Sequence, residues 1–498
     1  MKRESGILVP VFSLPSKYGA GGFGQESYDF IDYISDAKIK VWQILPLAQT
    51  GYGDSPYSSV SVGSINPYFI SLEKLQKERL LKKVELEIAK NNDKYIDYGF
   101  LFNTRYPLLK KAFDRFDKND KSFKAFVRSK RAYDYALFMS IRETNDNKPF
   151  YEWEEPLKRR APYALKQFVR ENKERVLFWQ FVQYIARKQW FELKAYANSK
   201  SVKILGDMPL YVALDSVEVW KNPELYKLNE NFYPEKVAGV PPDYFSKEGQ
   251  LWGNPVYDYA RHKEDNFFWW KNRLKRVLRT FDLVRIDHFR GLDRYYEVDA
   301  DAKNAMVGEW IEVPSKELFD EVHKEISSKR IIAEDLGIID DGVRELLAYT
   351  GYPGMKILSF AFDDKPDNLY LPENIEENSV CYTGTHDNDT LMGLLNGASE
   401  WDLNNFRKGV KSSLKKFKIR GNLKTPKGIA KSIIKLGFAC KSNLFIIPMQ
   451  DALLFDTDYR INEPGTVKNQ NWSVRFKKRD FRKSVKNILQ NYINRYAR

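Results

Sequence analysis

Four acidic side chains in this sequence each lie at or just after the end of a short apolar run, and they could act together. They are Asp207, Asp287, Glu334 and Asp387. If each run is a strand of one parallel barrel, the four acids meet at the same rim. Like charges at close range raise one another's pKa, so one carboxyl stays protonated while another is ionised. A protonated carboxyl that acts as general acid, beside an ionised carboxylate that acts as nucleophile, can cleave a glycosidic bond.

Arg285 lies two residues before Asp287, so both side chains share one face if 283–287 is a strand. A neighbouring cation keeps a carboxylate ionised, as a nucleophile requires. Taken alone, however, the pair is better explained as a structural ion pair at the end of a core strand. Converging acids can also bind a divalent metal, but a cation among them disfavours that use. We therefore predict no metal site and no cofactor.

The apolar runs recur along the whole chain, and helix-like patterns separate most of them. They cover residues 7–10, 41–47, 202–207, 283–287, 331–336, 357–362, 380–383 and 444–449. Near-continuous apolar strands separated by helices indicate a parallel sheet that is buried on both faces. Eight such units predict an α/β fold of the (β/α)8 TIM-barrel type. An open doubly wound sheet is disfavoured, because no Gly-rich phosphate fingerprint follows the first strand.

The uneven spacing of the runs predicts two insertions into a single catalytic domain that covers 1–498. A mostly helical subdomain is expected at 48–202, where 131–143 and 175–198 have apolar residues at helical spacing. A second insertion with a lid loop is expected at 208–282, because 237–259 is rich in Pro, Gly and aromatic residues. The chain after the eighth run has one further helical pattern, at 477–496. No separate C-terminal β domain is predicted.

Composition narrows the class of protein further. The net charge is +14, from 81 Lys and Arg against 67 Asp and Glu, but the basic residues are spread along helix-like segments. A solvated basic surface explains this better than a nucleic-acid partner. No apolar run approaches the length of a membrane span or a signal peptide. Cys381 and Cys440 lie in apolar runs without CxxC spacing, as buried cysteines of a reducing compartment do, so we predict a cytoplasmic protein.

Several motifs, in order along nearly the whole chain, closely resemble the amylomaltase family of 4-α-glucanotransferases, also called disproportionating enzymes, within the α-amylase clan. The matching segments are 43–46 (QILP), 53–57 (GDSPY), 66–68 (NPY), 206–212 (GDMPLYV), 239–246 (GVPPDYFS), 249–255 (GQLWGNP), 285–291 (RIDHFRG), 333–337 (AEDLG), 385–388 (THDN), 460–466 (RINEPGT) and 471–472 (NW). Any one of these could arise by chance, whereas the ordered set is specific.

The resemblance implies a role for each of three acids. Asp287 is expected to be the nucleophile that forms a covalent β-glucosyl-enzyme. Glu334 is expected to protonate the leaving oxygen and then to activate the acceptor, with its carboxyl about 5–5.5 Å from that of Asp287. Asp387 is expected to hold sugar hydroxyls and to favour the distorted ring.

The same resemblance implies a set of substrate-binding side chains around these acids. They are Arg285, His386, Asp207, Tyr57, Asp243, Tyr244, Trp252 and Asn462. Arg285 would orient Asp287, Tyr57 would stack on the glucose at the cleavage point, and Asp207 would contact sugar at the rim. For the aromatic residues and Asn462, plain packing or loop structure is an equally good explanation of the residue types.

The implied activity is transfer of a segment of an α-1,4-glucan to glucose or to another α-1,4-glucan. A lid that excludes water favours a sugar acceptor, and 241–246 is the predicted lid. An α-glucan hydrolase of the same clan and a non-catalytic glucan-binding protein are the alternatives. The sequence departs from the family pattern at 308–315 and 460–464, two predicted rim loops that bear on acceptor preference and product size.

Overall fold

The computed structural model describes residues 3–242, 247–337, 339–363 and 365–498. The strands of this described part are β1 (Glu4–Leu8), β2 (Val41–Gln43), β3 (Lys203–Met208), β4 (Lys236–Val240), β5 (Gln250–Pro255), β6 (Leu283–Ile286), β7 (Arg294–Asp299), β8 (Glu309–Glu312), β9 (Ile331–Ala333), β10 (Gly354–Ile357), β11 (Ser379–Tyr382) and β12 (Leu444–Pro448).

Eight parallel strands form the barrel, in the order β10-β11-β12-β1-β2-β3-β6-β9. The ring closes between β9 and β10, where the backbone N–H of Ala333 donates to the carbonyl of Pro353 at 3.0 Å. Helices cover the outside of the barrel and side chains fill the inside, so most strand residues are buried on both faces. This double burial is why the strands appear in the sequence as near-continuous apolar runs. The predicted (β/α)8 barrel is confirmed.

One predicted strand is displaced along the chain. The apolar run 357–362 was expected to form it, but β10 covers Gly354–Ile357 and a short 3-10 helix, Leu358–Phe360, follows. The strand begins at a glycine because the Asp335 carboxylate packs there, 2.5 Å from where a Cβ would lie. The apolar run therefore marks the end of the strand and the turn after it.

The helices are α1 (Gln25–Asp36), α2 (Leu72–Lys77), α3 (Tyr98–Arg115), α4 (Lys121–Arg128), α5 (Tyr133–Thr144), α6 (Glu155–Lys158), α7 (Pro162–Glu171), α8 (Lys173–Ser199), α9 (Val217–Lys221), α10 (Tyr259–Glu264), α11 (Phe268–Thr280), α12 (Ser315–His323), α13 (Asp341–Thr350), α14 (Leu391–Gly397), α15 (Glu400–Lys416), α16 (Pro426–Ala439), α17 (Met449–Leu453) and α18 (Lys483–Tyr496). No helix within the described ranges is long and apolar enough to cross a membrane.

Helices α2 to α8 lie between β2 and β3, where the mostly helical insertion was expected. The predicted helices 131–143 and 175–198 correspond to α5 and α8. Helix α8 buries Trp179, Phe181 and Trp190 in the same apolar core that contains the barrel strands. The single domain and the boundaries 48–202 and 208–282 stay predictions.

The second insertion contains an antiparallel sheet that the sequence did not predict. Its strand order is β5-β4-β7-β8, and it joins the chain after β3 to the chain after β6. Strand β5 contains a glycine and ends at a proline, and its middle residues are exposed. Without a buried face β5 shows no apolar alternation, so it lacks the pattern from which a strand is predicted.

Candidate active site

The acids identified in the sequence come together at the carboxyl ends of the barrel strands. Asp207 lies within β3, Asp287 follows β6, Glu334 follows β9 and Asp387 lies beyond the end of β11. Strands β3, β6 and β9 are consecutive neighbours in the barrel, so the first three acids are adjacent across the sheet. Asp387 comes from the opposite part of the ring. The site is therefore made by residues far apart in sequence on one rim.

Arg285 is at the centre of this cluster. Its Nη2 donates to Oδ1 of Asp287 at 2.6 Å and to Oδ2 of Asp207 at 2.7 Å, and its Nε lies 3.0 Å from both Asp207 oxygens. Its Nη1 is 4.0 Å from Oε2 of Glu334. The guanidinium is buried, and the surrounding carboxylates raise its pKa above the ordinary value despite that burial. One fixed cation thus contacts the two acids expected to do the chemistry.

The two acids differ in how strongly Arg285 holds them ionised. Burial raises the pKa of Asp287 and that of Glu334 well above their ordinary values, and Arg285 lowers both. Arg285 hydrogen-bonds Asp287 directly but stays 4.0 Å from Glu334, so Asp287 ionises first. Its negative charge then raises the pKa of Glu334 further. The pair therefore holds one ionised and one protonated carboxyl near neutral pH.

Two backbone N–H groups orient the Glu334 carboxyl. That of His288 donates to Oε2 at 2.5 Å, and that of Leu336 donates to Oε1 at 3.2 Å. His288 has a φ of 50°, a left-handed conformation that is uncommon for a residue other than glycine. Gly291 allows the close packing of this turn, because a Cβ there would lie 2.9 Å from the His288 ring. Local backbone strain of this kind concentrates at functional sites.

Asp387 is the most open of the acids, with 41% of its side chain exposed. Asn462 Nδ2 donates to its Oδ1 at 2.6 Å, and His386 Nε2 lies 3.2 Å from its Oδ2. Burial lowers the pKa of His386, so the ring is neutral at neutral pH and can only hydrogen-bond the carboxylate. Asp387 is thus held by two side chains and keeps an open side toward solvent.

Tyr57 joins the two halves of the site. Its ring stacks on that of His386, with centroids 5.3 Å apart and an interplanar angle of 10°. Its hydroxyl donates to Oδ2 of Asp207 at 2.7 Å and accepts from Arg285. The Asp207 side chain is 0% exposed because Arg285 and Tyr57 enclose it. Asp207 therefore helps to position Arg285, while the expected contact between Asp207 and sugar stays a prediction.

Trp252 lies on β5, at the edge of the same cluster. Its ring meets that of His288 edge-on, with centroids 4.8 Å apart at 85°, and 37% of the residue is exposed. The predicted lid residues Asp243 and Tyr244 fall outside the described residues. Within the described ranges, no group of three or more His, Cys, Asp or Glu side chains is placed to hold a metal ion.

Three further residues contribute to the site without having been singled out. The centroid of the Trp472 ring lies 5.7 Å from that of Tyr57 and 5.8 Å from that of His386. Arg460 Nη2 donates to the backbone carbonyl of Asp387 at 2.9 Å. Both belong to the segments 460–466 and 471–472, which the sequence analysis matched to the family without assigning a role to either residue. The backbone role of His288 had no sequence signal, because it depends on φ rather than on residue type.

Comparisons with known proteins show which family the chain belongs to. The 4-alpha-glucanotransferase family model matches residues 9–480. The 4-alpha-glucanotransferase of Clostridium butyricum is 41% identical over 98% of this chain and 99% of its own, and that of Synechocystis is 42% identical over 95% and 94%. An amylomaltase from Streptococcus agalactiae in complex with acarbose superposes with a TM-score of 0.94 at 38% identity, over the full length of both chains. The chain therefore belongs to the 4-alpha-glucanotransferase family.

Proposed function

We propose that the protein transfers a segment of an α-1,4-glucan to glucose or another α-1,4-glucan, by double displacement with retention of the α configuration. The observation that carries this mechanism is the position of Arg285, which bonds Asp287 at 2.6 Å and lies 4.0 Å from Glu334. That arrangement gives two carboxyls distinct charges on one rim. Two carboxyls in these states are what a retaining glycosidase mechanism uses.

In the first displacement, the Asp287 carboxylate attacks C1 of the glucosyl unit at the cleavage point. The bond from C1 to the leaving O4 breaks, and Glu334 gives its proton to that oxygen. A β-glucosyl ester of Asp287 and a shortened glucan result. Glu334 acts as the acid because burial and the negative charge of Asp287 raise its pKa, which favours the protonated form.

In the second displacement, the 4-hydroxyl of an acceptor attacks the same C1. Glu334, now a carboxylate, takes the hydroxyl proton, and Asp287 leaves. Two inversions restore the α linkage. We assign to Asp387 the binding of hydroxyls of the distorted sugar, since its carboxylate is held by Asn462 and stays 41% exposed.

Incubation with maltotriose tests this proposal. A transferase produces glucose together with a ladder of longer oligosaccharides. Glucose and maltose without any longer product would instead identify an α-glucan hydrolase, because water would then resolve the glycosyl-enzyme. Unchanged maltotriose would identify a protein that binds glucans without catalysis.

We further propose that the protein works in the cytoplasm, with maltooligosaccharides, starch or glycogen as donors. The support is that Cys381 and Cys440 are both free and buried in the core. Free core thiols are typical of reducing compartments. A fractionation of the source cells that recovers the activity with secreted proteins would overturn this location.

A further inference from the structure

Arg290 is a buried cation just beyond the nucleophile, and no step of the proposed reaction uses it. It lies in the 3-10 helix Phe289–Leu292, which directly follows Asp287 and His288. Only 8% of its side chain is exposed. Burying a charge is costly unless other groups compensate it. The groups that Arg290 contacts belong to two other units of the fold.

The first contact joins Arg290 to the segment after Glu334. Its Nη2 donates to Oδ2 of Asp340 at 3.0 Å. Oδ1 of Asp340 accepts from the backbone N–H of Val343 at 3.3 Å, so Asp340 is the N-cap of helix α13. This helix follows strand β9 and Glu334 in the chain. Arg290 thus ties the turn after the nucleophile to the helix after the general acid.

The second contact joins Arg290 to the antiparallel sheet. Its guanidinium lies over the Trp310 ring, 4.1 Å from the centroid, as in a cation–π interaction. Trp310 is on β8 and pairs with Tyr296 of β7, whose ring lies 5.2 Å away. It belongs to the segment 308–315, where the sequence departs from the family pattern. That segment is therefore packed against the turn after the nucleophile.

The turn that contains Arg290 also holds Glu334. The His288 N–H donates to Oε2 of Glu334 at 2.5 Å, and the Phe289 N–H donates to the backbone carbonyl of Glu334 at 3.0 Å. Both donors lie one or two residues before Arg290. A shift of this turn would therefore move the general acid relative to the leaving oxygen. A displacement of about 1 Å in such a geometry can cost about 10²-fold in rate.

We propose that Arg290, supported by Trp310, is a positioning residue that holds this turn in place and so aims the proton of Glu334 at the leaving oxygen. The inference rests on the proposed double displacement, and it gives the segment 308–315 a role in that reaction. It predicts a selective defect when the support is removed. A donor whose leaving group needs a proton should react more slowly, while a donor whose leaving group needs none should not.

Two donors that form the same maltosyl-enzyme separate these cases. Maltotriose releases glucose, which needs the proton of Glu334, whereas α-maltosyl fluoride releases fluoride, which needs none. With labelled glucose as acceptor, both donors give labelled maltotriose, and kcat/KM for each donor reports the first displacement. In Arg290→Met we expect the maltotriose-to-fluoride ratio of kcat/KM to fall about tenfold. Trp310→Leu should lower the ratio as well, and Trp310→Phe, which keeps a ring under the guanidinium, should restore it.

Arg294→Gln is the matched control, because Arg294 Nη2 also donates to Oδ2 of Asp340, at 2.6 Å, but 38% of its side chain is exposed. It should keep the wild-type ratio. Equal losses with both donors, or wild-type ratios in folded Arg290→Met and Trp310→Leu, would overturn the positioning role while leaving the transferase intact. If Arg290→Met does not fold, Trp310→Leu alone decides. If the wild-type protein forms labelled maltotriose from neither donor, the transferase itself is refuted, and the positioning role with it.

Discussion

Replacing Arg285 with glutamine should move the acid limb of the pH profile, because Arg285 holds Asp287 ionised. Its Nη2 donates to Asp287 at 2.6 Å in a buried site. A hydrogen bond to a charged group contributes about 1.5–3 kcal/mol, or about one to two pKa units. Without it, we expect the pKa of Asp287 to rise by a further one to two units or so, about the size of the lost hydrogen bond. On the acid side of the pH profile, kcat/KM should therefore be about 10- to 100-fold lower than in the wild type.

The assay is kcat/KM for maltotriose as a function of pH, which reports the ionisation of the free enzyme. Activity requires Asp287 ionised and Glu334 protonated, so the acid limb belongs to the first ionisation of the pair and the alkaline limb to the second. Raising the pKa of Asp287 must therefore shift the acid limb to higher pH. Arg294→Gln, which removes a cation paired with Asp340 outside the cluster, should leave both limbs in place.

A loss of stability must be separated from this effect. Arg285→Gln leaves Asp207 buried without its cation, which can cost about 3–5 kcal/mol. The double variant Arg285→Gln/Asp207→Asn removes that unpaired charge. Because the Asp207 charge raises the pKa of Asp287, the double variant should have its acid limb between wild type and single variant. An acid limb that stays in place or moves to lower pH in a folded Arg285→Gln protein would refute the reasoning.

Three other outcomes follow from the same structure. Asp387→Asn should fold but lower kcat by about 10²-fold or more, because one preorganised contact to the transition state is removed. An unchanged kcat would exclude Asp387 from the chemistry. Exhaustive chelation should leave the activity intact, and a complete loss that added metal reverses would contradict the prediction of no required metal. Burial lowers the pKa of His262 to about 4 in the folded protein. Between about pH 6.5 and 4 the unfolded chain therefore binds more protons than the folded protein, and the free energy of unfolding decreases as the pH decreases. The ring of His262 lies among those of Tyr257 and Trp270. In His262→Phe, urea unfolding at pH 7 and pH 4 should show a difference in the free energy of unfolding that is about 3 kcal/mol smaller than in the wild type. An unchanged difference would contradict this prediction.

The barrel could be predicted from the sequence because its strands are buried on both faces and so appear as apolar runs. The antiparallel sheet could not, since β5 is exposed and interrupted by Gly253 and by Pro255 at its end. The position of strand β10 was predicted wrongly because the strand begins at Gly354, where Asp335 packs closely, and the apolar run continues beyond its end.

The sequence predicted which acids lie at the site, but it did not predict the burial and the contacts of each acid. Asp207 and Asp387 both follow the pattern of a strand-end acid, yet one is enclosed by Arg285 and the other is open. That difference depends on how side chains pack across three strands, which no local pattern records. The left-handed φ of His288 is hidden in the same way.

The most direct test of the account is to trap the glycosyl-enzyme. Glu334→Gln lacks the base for the second displacement, yet α-maltosyl fluoride needs no acid to depart, so the intermediate should accumulate. Mass spectrometry of peptides should find one maltosyl group on the peptide that contains Asp287, and Asp287→Asn in the same background should abolish it. A maltosyl group on another carboxylate, or fluoride release with a β-configured product and no adduct, would contradict the double displacement.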